Sequence, residues 1–195
     1  MKTKISVFII TFNEEKIIGK CLEKLGSFDE IIVVDSGSTD NTVAICESYG
    51  AKVIYRKFDN FGLQKQFALD QTKNNWSLSL DADEVLSDAL ITEISNLDFT
   101  SDYNAYTIPR THVFLNKIFT YGAENKRPIL RLLNKEFGGF TPNKVHETIE
   151  IQGKMGHLKN EMLHYTVFVI STAIQKQIKY ALLSGELLRE KKKKS

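Results

Sequence analysis

The feature that most constrains the fold of this chain is a regular alternation of short apolar segments with helix-like ones. Segments rich in β-branched residues begin near residues 5, 30, 52 and 77, and a helix-like segment separates each from the next. Strands that are apolar throughout are typical of parallel sheets, and strands joined through helices run parallel to one another. The pattern therefore predicts an α/β fold in which helices cover both faces of a mainly parallel sheet.

The helix-like segments carry apolar side chains at helical spacing. The segment 61–73 is predicted to be a helix that turns Leu63 and Phe67 toward the sheet, with Ala68 and Leu69 as further core candidates. Both cysteines lie in such segments and lack the spacing of a metal motif. They are therefore predicted to be small buried residues of a reduced protein.

Beyond residue 100 the pattern changes. The segments 103–114 and 128–133 each contain a proline and have mixed or alternating polarity, which predicts antiparallel or edge strands. The segment 136–147 is rich in turn-forming residues and is predicted to be an ordered loop over the edge of the sheet. A partial apolar stripe beside many lysines predicts an amphipathic, basic helix at 166–195.

The chain is long enough for one domain, which is predicted at 1–165 and is followed by the C-terminal helix. The 26 Lys and Arg residues exceed the 24 Asp and Glu residues by two, so the net charge gives no support for nucleic-acid binding. The apolar run at 5–10 is too short for the core of a signal peptide, and no stretch is long enough to span a membrane. We therefore expect a cytoplasmic protein.

Polar or acidic residues follow three of the predicted strands, at 11–15, 35–40 and 81–84. The carboxyl ends of parallel strands share one edge of a sheet, and ligands bind outside that edge. Asp81 and Asp83 would repel one another there unless a cation lay between them. Mg²⁺ and Mn²⁺ take such ligands and share them with substrate phosphates, so the pattern predicts a metal–diphosphate site. The alternative is that these acids only precede a helix.

In their order along the chain, these motifs resemble those of the family 2 glycosyltransferases of the GT-A fold, a Rossmann-like α/β sandwich. The resemblance is carried by Thr-Phe-Asn-Glu-Glu at 11–15, Asp-Ser-Gly-Ser-Thr-Asp at 35–40 and Asp-Ala-Asp-Glu at 81–84. Lys-Val-His-Glu at 144–147 is similar to the small bacterial transferases of the lipopolysaccharide core, the β-1,4-glucosyltransferase-like subgroup. The resemblance implies an inverting, metal-dependent hexosyltransferase. It implies a nucleotide-sugar donor, UDP-linked, and a glycan or glycolipid acceptor in lipopolysaccharide or cell-surface polysaccharide biosynthesis.

The resemblance also assigns roles to individual residues, with the donor half at 1–100 and the acceptor half at 101–165. Asp83 would ligate the cation, Mn²⁺ or Mg²⁺, and Asp81 would reach the ribose, the ion or water bound to it. The residues implied in binding the nucleotide sugar are Thr11, Asn13, Glu15, Asp35, Lys65 and Asp81.

Transfer with inversion also needs a general base that takes the proton of the acceptor hydroxyl. No Asp follows Asp102, so a base from the second half would be Glu or His. Glu147 matches the catalytic position of the family, and the alternative is an exposed acid paired with Lys144. His146 and His164 are candidate phosphate or metal contacts, although His164 also fits a purely structural role.

Other functions fit parts of this pattern. The segment 81–85 fits the DxDx[TV] motif of haloacid-dehalogenase-type phosphatases, but here three strands precede it and the second half of the chain has no further aspartate after 102. A calcium loop is excluded, because Leu86 occupies the position where its turn needs glycine. A non-catalytic nucleotide-sugar-binding protein stays open. The lysine-rich end at 189–194 is either a solvated helix end or a peripheral contact with an anionic membrane, on its inner face.

Overall fold

The computed structural model describes residues 3–115, 117–118, 126–141 and 148–167, with the backbone alone at 166 and 167. The elements in chain order are β1 (Ile5–Thr11), α1 (Ile18–Glu23), β2 (Glu30–Asp35), α2 (Thr42–Ser48), β3 (Lys52–Tyr55), α3 (Phe61–Asp70), β4 (Trp76–Asp81), β5 (Glu84–Leu86), α4 (Asp88–Ser95), β6 (Tyr103–Phe114), β7 (Lys117–Ile118), β8 (Arg127–Asn134), β9 (Gly138–Phe140), β10 (Ile149–Ile151), β11 (Lys154–His157) and β12 (Met162–Val167).

The first four strands form the parallel part of the main sheet, which confirms the prediction from alternating segments. β1 lies between β2 and β4, and β3 pairs with the far side of β2, all in parallel. The register pairs Thr11 with Asp35 and Ile10 with Asp81. The three polar strand ends therefore lie side by side at one edge of the sheet.

The second half of the chain extends this sheet with antiparallel pairing. β8 pairs antiparallel with both β4 and β6, so the predicted antiparallel strands are confirmed. They are interior strands, because the order of the sheet is β3-β2-β1-β4-β8-β6-β12-β5, with β7 and β11 also on β6. Pro109 faces Pro128 one pair from the end of the β6–β8 ladder, where the missing N–H donors interrupt little of the sheet.

Helices cover both faces of the sheet, as predicted. On one face α1, α2 and α4 pack against side chains such as Val7 and Ile9, and both cysteines, Cys21 and Cys46, are buried there as free thiols. On the other face Ala68 and Leu69 of α3 join a second core cluster around Phe8, Ile32 and Val34. Burial raises the pKa of the Cys46 thiol to about 11, consistent with an unreactive core residue.

The prediction for α3 is wrong in two respects. The helix ends at Asp70 instead of 73, and Leu63 is exposed rather than directed at the sheet. The buried positions of this turn are instead Gln64 and Lys65. Polar side chains lie inside here because each has a hydrogen-bonding or charged partner: Gln64 donates to Ser36, and Lys65 pairs with Asp81.

Two further predictions concern segments that lie only partly within the described residues. Within the segment predicted as a loop, Gly138–Phe140 instead forms β9, which pairs with β10, while 142–147 lies outside the described residues. The predicted helix at 166–195 is wrong at its first two positions, which continue β12, and 168–195 lies outside the described residues. No helix in the described part of the chain is both long and apolar enough to cross a membrane.

Candidate active site

A cleft of about 410 Å³ opens where β1, β2 and β4 end. Thr11 and Ser36 line it from the first two strand ends, and Asp81 and Asp83 line it from the third. Three exposed or half-exposed aromatic rings also line the cleft, from Phe12, Phe58 and Phe61. The three strand ends that the sequence analysis expected to form one site thus share one cleft.

Asp83 and His164 form the most distinctive pair in this cleft. Asp83 lies in the turn between β4 and β5, and His164 lies on β12, which pairs antiparallel with β5. Nε2 of His164 is 3.2 Å from Oδ2 of Asp83, and the backbone N–H of Tyr165 donates to the Asp83 carbonyl at 2.9 Å. On the other side of the ring, Nδ1 of His164 lies 3.3 Å from Nδ1 of His112 on β6.

The chemistry of this pair fits a divalent cation. A carboxylate oxygen and an imidazole nitrogen are both ligands of divalent cations, and their separation also suits a hydrogen bond between the two side chains. His112 contacts the ring nitrogen that would face away from the ion, a contact that orients such ligands. Within the described ranges no three His, Cys, Asp or Glu side chains cluster as a metal site.

Asp81 sits between two cationic side chains. Its Oδ1 is 2.9 Å from Nζ of Lys65 on α3, and its Oδ2 is 2.7 Å from Nη2 of Arg131 on β8. Burial acts to raise the pKa of Asp81, but Arg131 and Lys65 outweigh it, so the pKa of this carboxyl lies well below its usual range. A carboxylate with a depressed pKa is a weak base, so Asp81 suits binding better than proton abstraction.

Glu84 contacts both the Asp81 backbone and the arginines beside it. It is fully buried in the sheet on β5, and its Oε2 accepts the backbone N–H of Asp81 at 3.1 Å. Its Oε1 accepts from Nη2 of Arg131 at 2.7 Å and lies 3.8 Å from Nη1 of Arg110. The third acid of the motif is therefore a strand residue that holds the turn and two arginines. It does not belong to the first turn of a helix, since α4 begins only at Asp88, capped by Ser87.

Arg131 reaches Asp81 because of an irregularity in β8. The β6–β8 register pairs Tyr106 with Leu132 and Thr107 with Leu130, so Arg131 is an extra residue without a partner position on β6. A bulge of this kind bends the strand and redirects a side chain. Neither Arg131 nor Arg110 was among the residues predicted from sequence, because a bulge and a partner 50 positions away leave no local pattern.

The remaining predicted donor residues brace the turns at the strand ends. Asn13 donates its backbone N–H to Ser38 and accepts the backbone N–H of Thr39, both at 2.8 Å. Glu15 accepts two hydrogen bonds from Asn41. The buried carboxylate of Asp35 accepts from the backbone N–H groups of residues 37 and 38 and from the Ser38 hydroxyl. Asn13 and Glu15 thus join the first turn to the second, and Asp35 holds the second turn in shape. Thr11, Asp81, Asp83 and His164 line the cleft itself.

Two predicted residues, His146 and Glu147, lie outside the described residues. Their nearest described neighbours are Thr141 and Thr148, which a backbone hydrogen bond of 2.8 Å joins. Ile149 and Thr148 line a second cleft, which also contains Asp81.

Comparison with known proteins identifies the family. The family model described as glycosyl transferase family 2 matches residues 6–159. The chain belongs to glycosyl transferase family 2. It is 35% identical, over 95% of its length and 72% of the relative's, to the lipopolysaccharide core biosynthesis glycosyltransferase LpsC of Rhizobium meliloti. It is 36% identical to an uncharacterized glycosyltransferase of Rickettsia felis, over 98% of this chain and 73% of that one.

The fold of this family 2 glycosyltransferase is likewise the one predicted. A crystal structure of S. aureus TarS, residues 1–349, superposes with a TM-score of 0.60 at 19% identity, over 84% of this chain and 60% of TarS. The same TarS segment in complex with UDP-GlcNAc gives a TM-score of 0.58 at 17% identity, over 85% of this chain and 59% of that one. These similarities show the GT-A fold.

Proposed function

We propose that this family 2 glycosyltransferase binds a UDP-linked sugar in the cleft at the ends of β1, β2 and β4, with a divalent cation held by Asp83 and His164. The single observation that carries the proposal is the 3.2 Å approach of these two side chains at the end of β4. A carboxylate oxygen and an imidazole nitrogen so close together would supply two ligands of such a site, and the diphosphate and water would fill its other positions.

The nucleoside part of the donor is assigned to the first two strand ends. The Thr11 hydroxyl is buried and has no hydrogen-bond partner among the described residues, so a ligand hydroxyl or carbonyl would satisfy it. Asn13, Glu15 and Asp35 would act by holding the two turns in shape. Asp35 is also the candidate contact for the nucleobase of the donor. Phe58 and Phe61, whose rings pack edge to face at 5.0 Å, offer the cleft an apolar wall.

The reaction would be an inverting transfer of a hexosyl group. Asp83 and His164 would hold the divalent cation, which would supply positive charge beside the departing diphosphate. Lys65 and Arg131 keep Asp81 ionised and in place beside that charge, and Asp81 would contact the ribose, the ion or its water. His112 orients His164 through the ring nitrogen that does not face the ion.

Glu147 is proposed as the general base, with His146 beside it as a phosphate or metal contact. The acceptor hydroxyl would attack the anomeric carbon while Glu147 takes its proton, and the nucleoside diphosphate leaves from the opposite face of the sugar. The similarity to LpsC supports a lipopolysaccharide or related cell-surface glycan as acceptor. A lipid-linked acceptor would suit the proposed peripheral contact of the basic C-terminal segment with an anionic membrane.

Thermal stability in the presence of UDP and Mn²⁺ tests the donor site. We expect UDP with Mn²⁺ to raise Tm, and we expect Asp83→Asn and His164→Gln to remove the part of the shift that depends on the metal. The shifts in Tm produced by UDP-GlcNAc, UDP-glucose and GDP-mannose are then compared to identify the preferred nucleotide. Asp88→Asn is the matched control, because Asp88 is exposed on α4, away from the cleft. A metal-dependent shift that survives both site variants would contradict the proposed ligands.

Turnover separates an enzyme from a non-catalytic binding protein of the same fold. Hydrolysis or transfer of the donor sugar is measured for the wild-type protein and for Glu147→Gln, together with binding of UDP and Mn²⁺. We expect the variant to bind both and to lose turnover. Unchanged turnover in the variant would remove Glu147 as the base, and binding without any turnover in the wild type would favour the non-catalytic alternative.

A further inference from the structure

A second cleft, of about 520 Å³, is rich in arginine. It adjoins the cleft that contains Asp83 and His164, which we call the donor cleft. Arg110, Arg127 and Arg131 line the second cleft, and we call it the arginine cleft. Its other walls are largely apolar and include Pro128, Ile129 and Phe140. A space of this size and character has room for a sugar ring packed on apolar side chains, with an anionic group among the guanidinium groups.

Two of the three arginines are direct partners across antiparallel strands. The register of β6 and β8 pairs Arg110 with Arg127, so both side chains project from the same face of the sheet. Arginine binds phosphate and carboxylate groups in two-pronged geometry, so one oxyanion would contact both neighbouring guanidinium groups.

Arginines outnumber acidic residues among the described residues that line the arginine cleft. Asp81 is the only acidic residue among its lining residues in the described part of the chain, and it already pairs with Arg131 and Lys65. Glu84 contacts Arg131 and lies near Arg110, but it is fully buried beneath them. The Nε atom of Arg110 is buried and has no hydrogen-bond partner among the described residues.

The arginine cleft and the donor cleft share Asp81 and Arg110 as lining residues. A ligand in the arginine cleft would therefore lie next to a sugar nucleotide in the donor cleft, where an acceptor has to lie for transfer. We propose that the arginine cleft binds an oxyanion of the acceptor, so that the acceptor is a phosphorylated or carboxylated sugar. This inference rests on the proposed function, since it is that function which makes the neighbouring ligand an acceptor.

Calorimetric titration of the 195-residue chain with simple sugars tests the proposal. The probes are glucose 6-phosphate, glucuronate and neutral glucose, each added in the presence of UDP and Mn²⁺. We expect at least one anionic sugar to bind and glucose not to bind, with weaker binding at higher salt. Binding of glucose 6-phosphate alone identifies a phosphate as the group recognised, and binding of glucuronate alone identifies a carboxylate.

Variants of Arg127 locate the binding. Arg127 is exposed and lines the arginine cleft but not the donor cleft. Arg127→Gln is therefore expected to fold and to weaken binding of the anionic sugar about tenfold while leaving UDP affinity unchanged. Arg127→Lys should recover part of the affinity through its charge. Lys126→Gln is the matched control, because Lys126 is the exposed neighbouring cation, pairs with Glu161 and lines neither cleft.

Three results would overturn the inference. These are no binding of either anionic sugar, equal binding to the wild type and Arg127→Gln, or loss of UDP affinity in Arg127→Gln without loss of the sugar. The last result would mean that the arginines hold the diphosphate of the donor. Failure of the wild-type protein to bind any nucleotide would instead count against the proposed function, and it is measured separately in the absence of sugar.

Discussion

Nη2 of Arg131 lies 2.7 Å from Oδ2 of Asp81, although the two residues are 50 positions apart in the chain. The same nitrogen lies 2.7 Å from Oε1 of Glu84. One guanidinium group thus ties the end of β4 to the start of β5, on the two sides of the turn that carries Asp83. The position of the proposed metal ligand therefore depends on contacts between residues that are far apart in the chain.

Removing the charge of Glu84 should destabilise the fold. We expect Glu84→Gln to lower the free energy of unfolding by about 1.5–3 kcal/mol, because Arg131 loses one of its two charged hydrogen bonds and keeps only the one to Asp81. Urea unfolding followed by circular dichroism measures the change. Glu23→Gln, at an exposed site on α1, is the control and should have little effect. A loss as small as that of the control would show that the Glu84 contact contributes little to stability.

The glycine at position 62 is expected to reject a side chain. A Cβ atom there would lie 2.2 Å from the carbonyl oxygen of Thr141, which is backbone and cannot turn away. Alanine normally stabilises a helix relative to glycine by up to about 1 kcal/mol, and we expect Gly62→Ala to reverse that sign and cost about 1–3 kcal/mol.

Gly26→Ala is the matched control for this glycine, because a Cβ atom at Gly26 would meet nothing within 4 Å. It should be neutral or slightly stabilising in the same urea unfolding experiment. Equal effects of the two substitutions would contradict the close packing of α3 on the segment that leads to residue 142.

Glu93 should make stability depend on pH. Its carboxylate accepts hydrogen bonds from the backbone N–H groups of Lys159 and Asn160 and from the Asn160 side chain, at 2.8 to 2.9 Å. Burial acts to raise the pKa of Glu93, but these hydrogen bonds outweigh it and lower the pKa below the ordinary 4.5. The stabilisation is therefore complete above pH 4.5 and is lost as the pH falls through the lower pKa of the folded state.

Glu93→Gln tests this pH dependence. At neutral pH we expect the variant to unfold more easily than the wild type, by about 1–2 kcal/mol. The difference between the two proteins should shrink as the pH is lowered below 4.5, because the wild-type carboxylate then becomes protonated. Urea unfolding at a series of pH values measures it. A difference that stays constant with pH would rule out the charge of Glu93 as the cause.

Ser87 should contribute as the N-terminal cap of α4. Its hydroxyl oxygen accepts the backbone N–H of Leu90 at 3.2 Å. We expect Ser87→Ala to lower the free energy of unfolding by about 1 kcal/mol, whereas Ser87→Thr keeps an acceptor and should be nearly neutral. Thermal unfolding of both variants distinguishes the cap from a packing effect, since a packing effect would make the larger threonine the more damaging change.

Much of the fold was predictable from the sequence because it depends on local patterns. Four apolar segments joined by helix-like ones leave a parallel sheet as the natural solution, and β1 to β4 form it. The error at Leu63 has a physical reason. Helical spacing marks which residues share a face, but Lys65 and Gln64 were drawn inward by polar partners from other elements, and this left Leu63 outside.

The candidate site likewise has features that the sequence predicts and features that only the fold determines. The sequence by itself determined the family and the three polar strand ends, because the motifs are contiguous and the carboxyl ends of parallel strands share an edge. Only the tertiary structure decided which of these side chains form hydrogen bonds with other residues of the protein and which line the cleft. It placed His164 on Asp83 through β12, and it brought Arg131 to Asp81 and Glu84 through a bulge in β8. Contacts of this kind join strands that are distant in the chain. Which charged side chains meet depends on the order and register of the strands, and these are set only when the sheet is assembled.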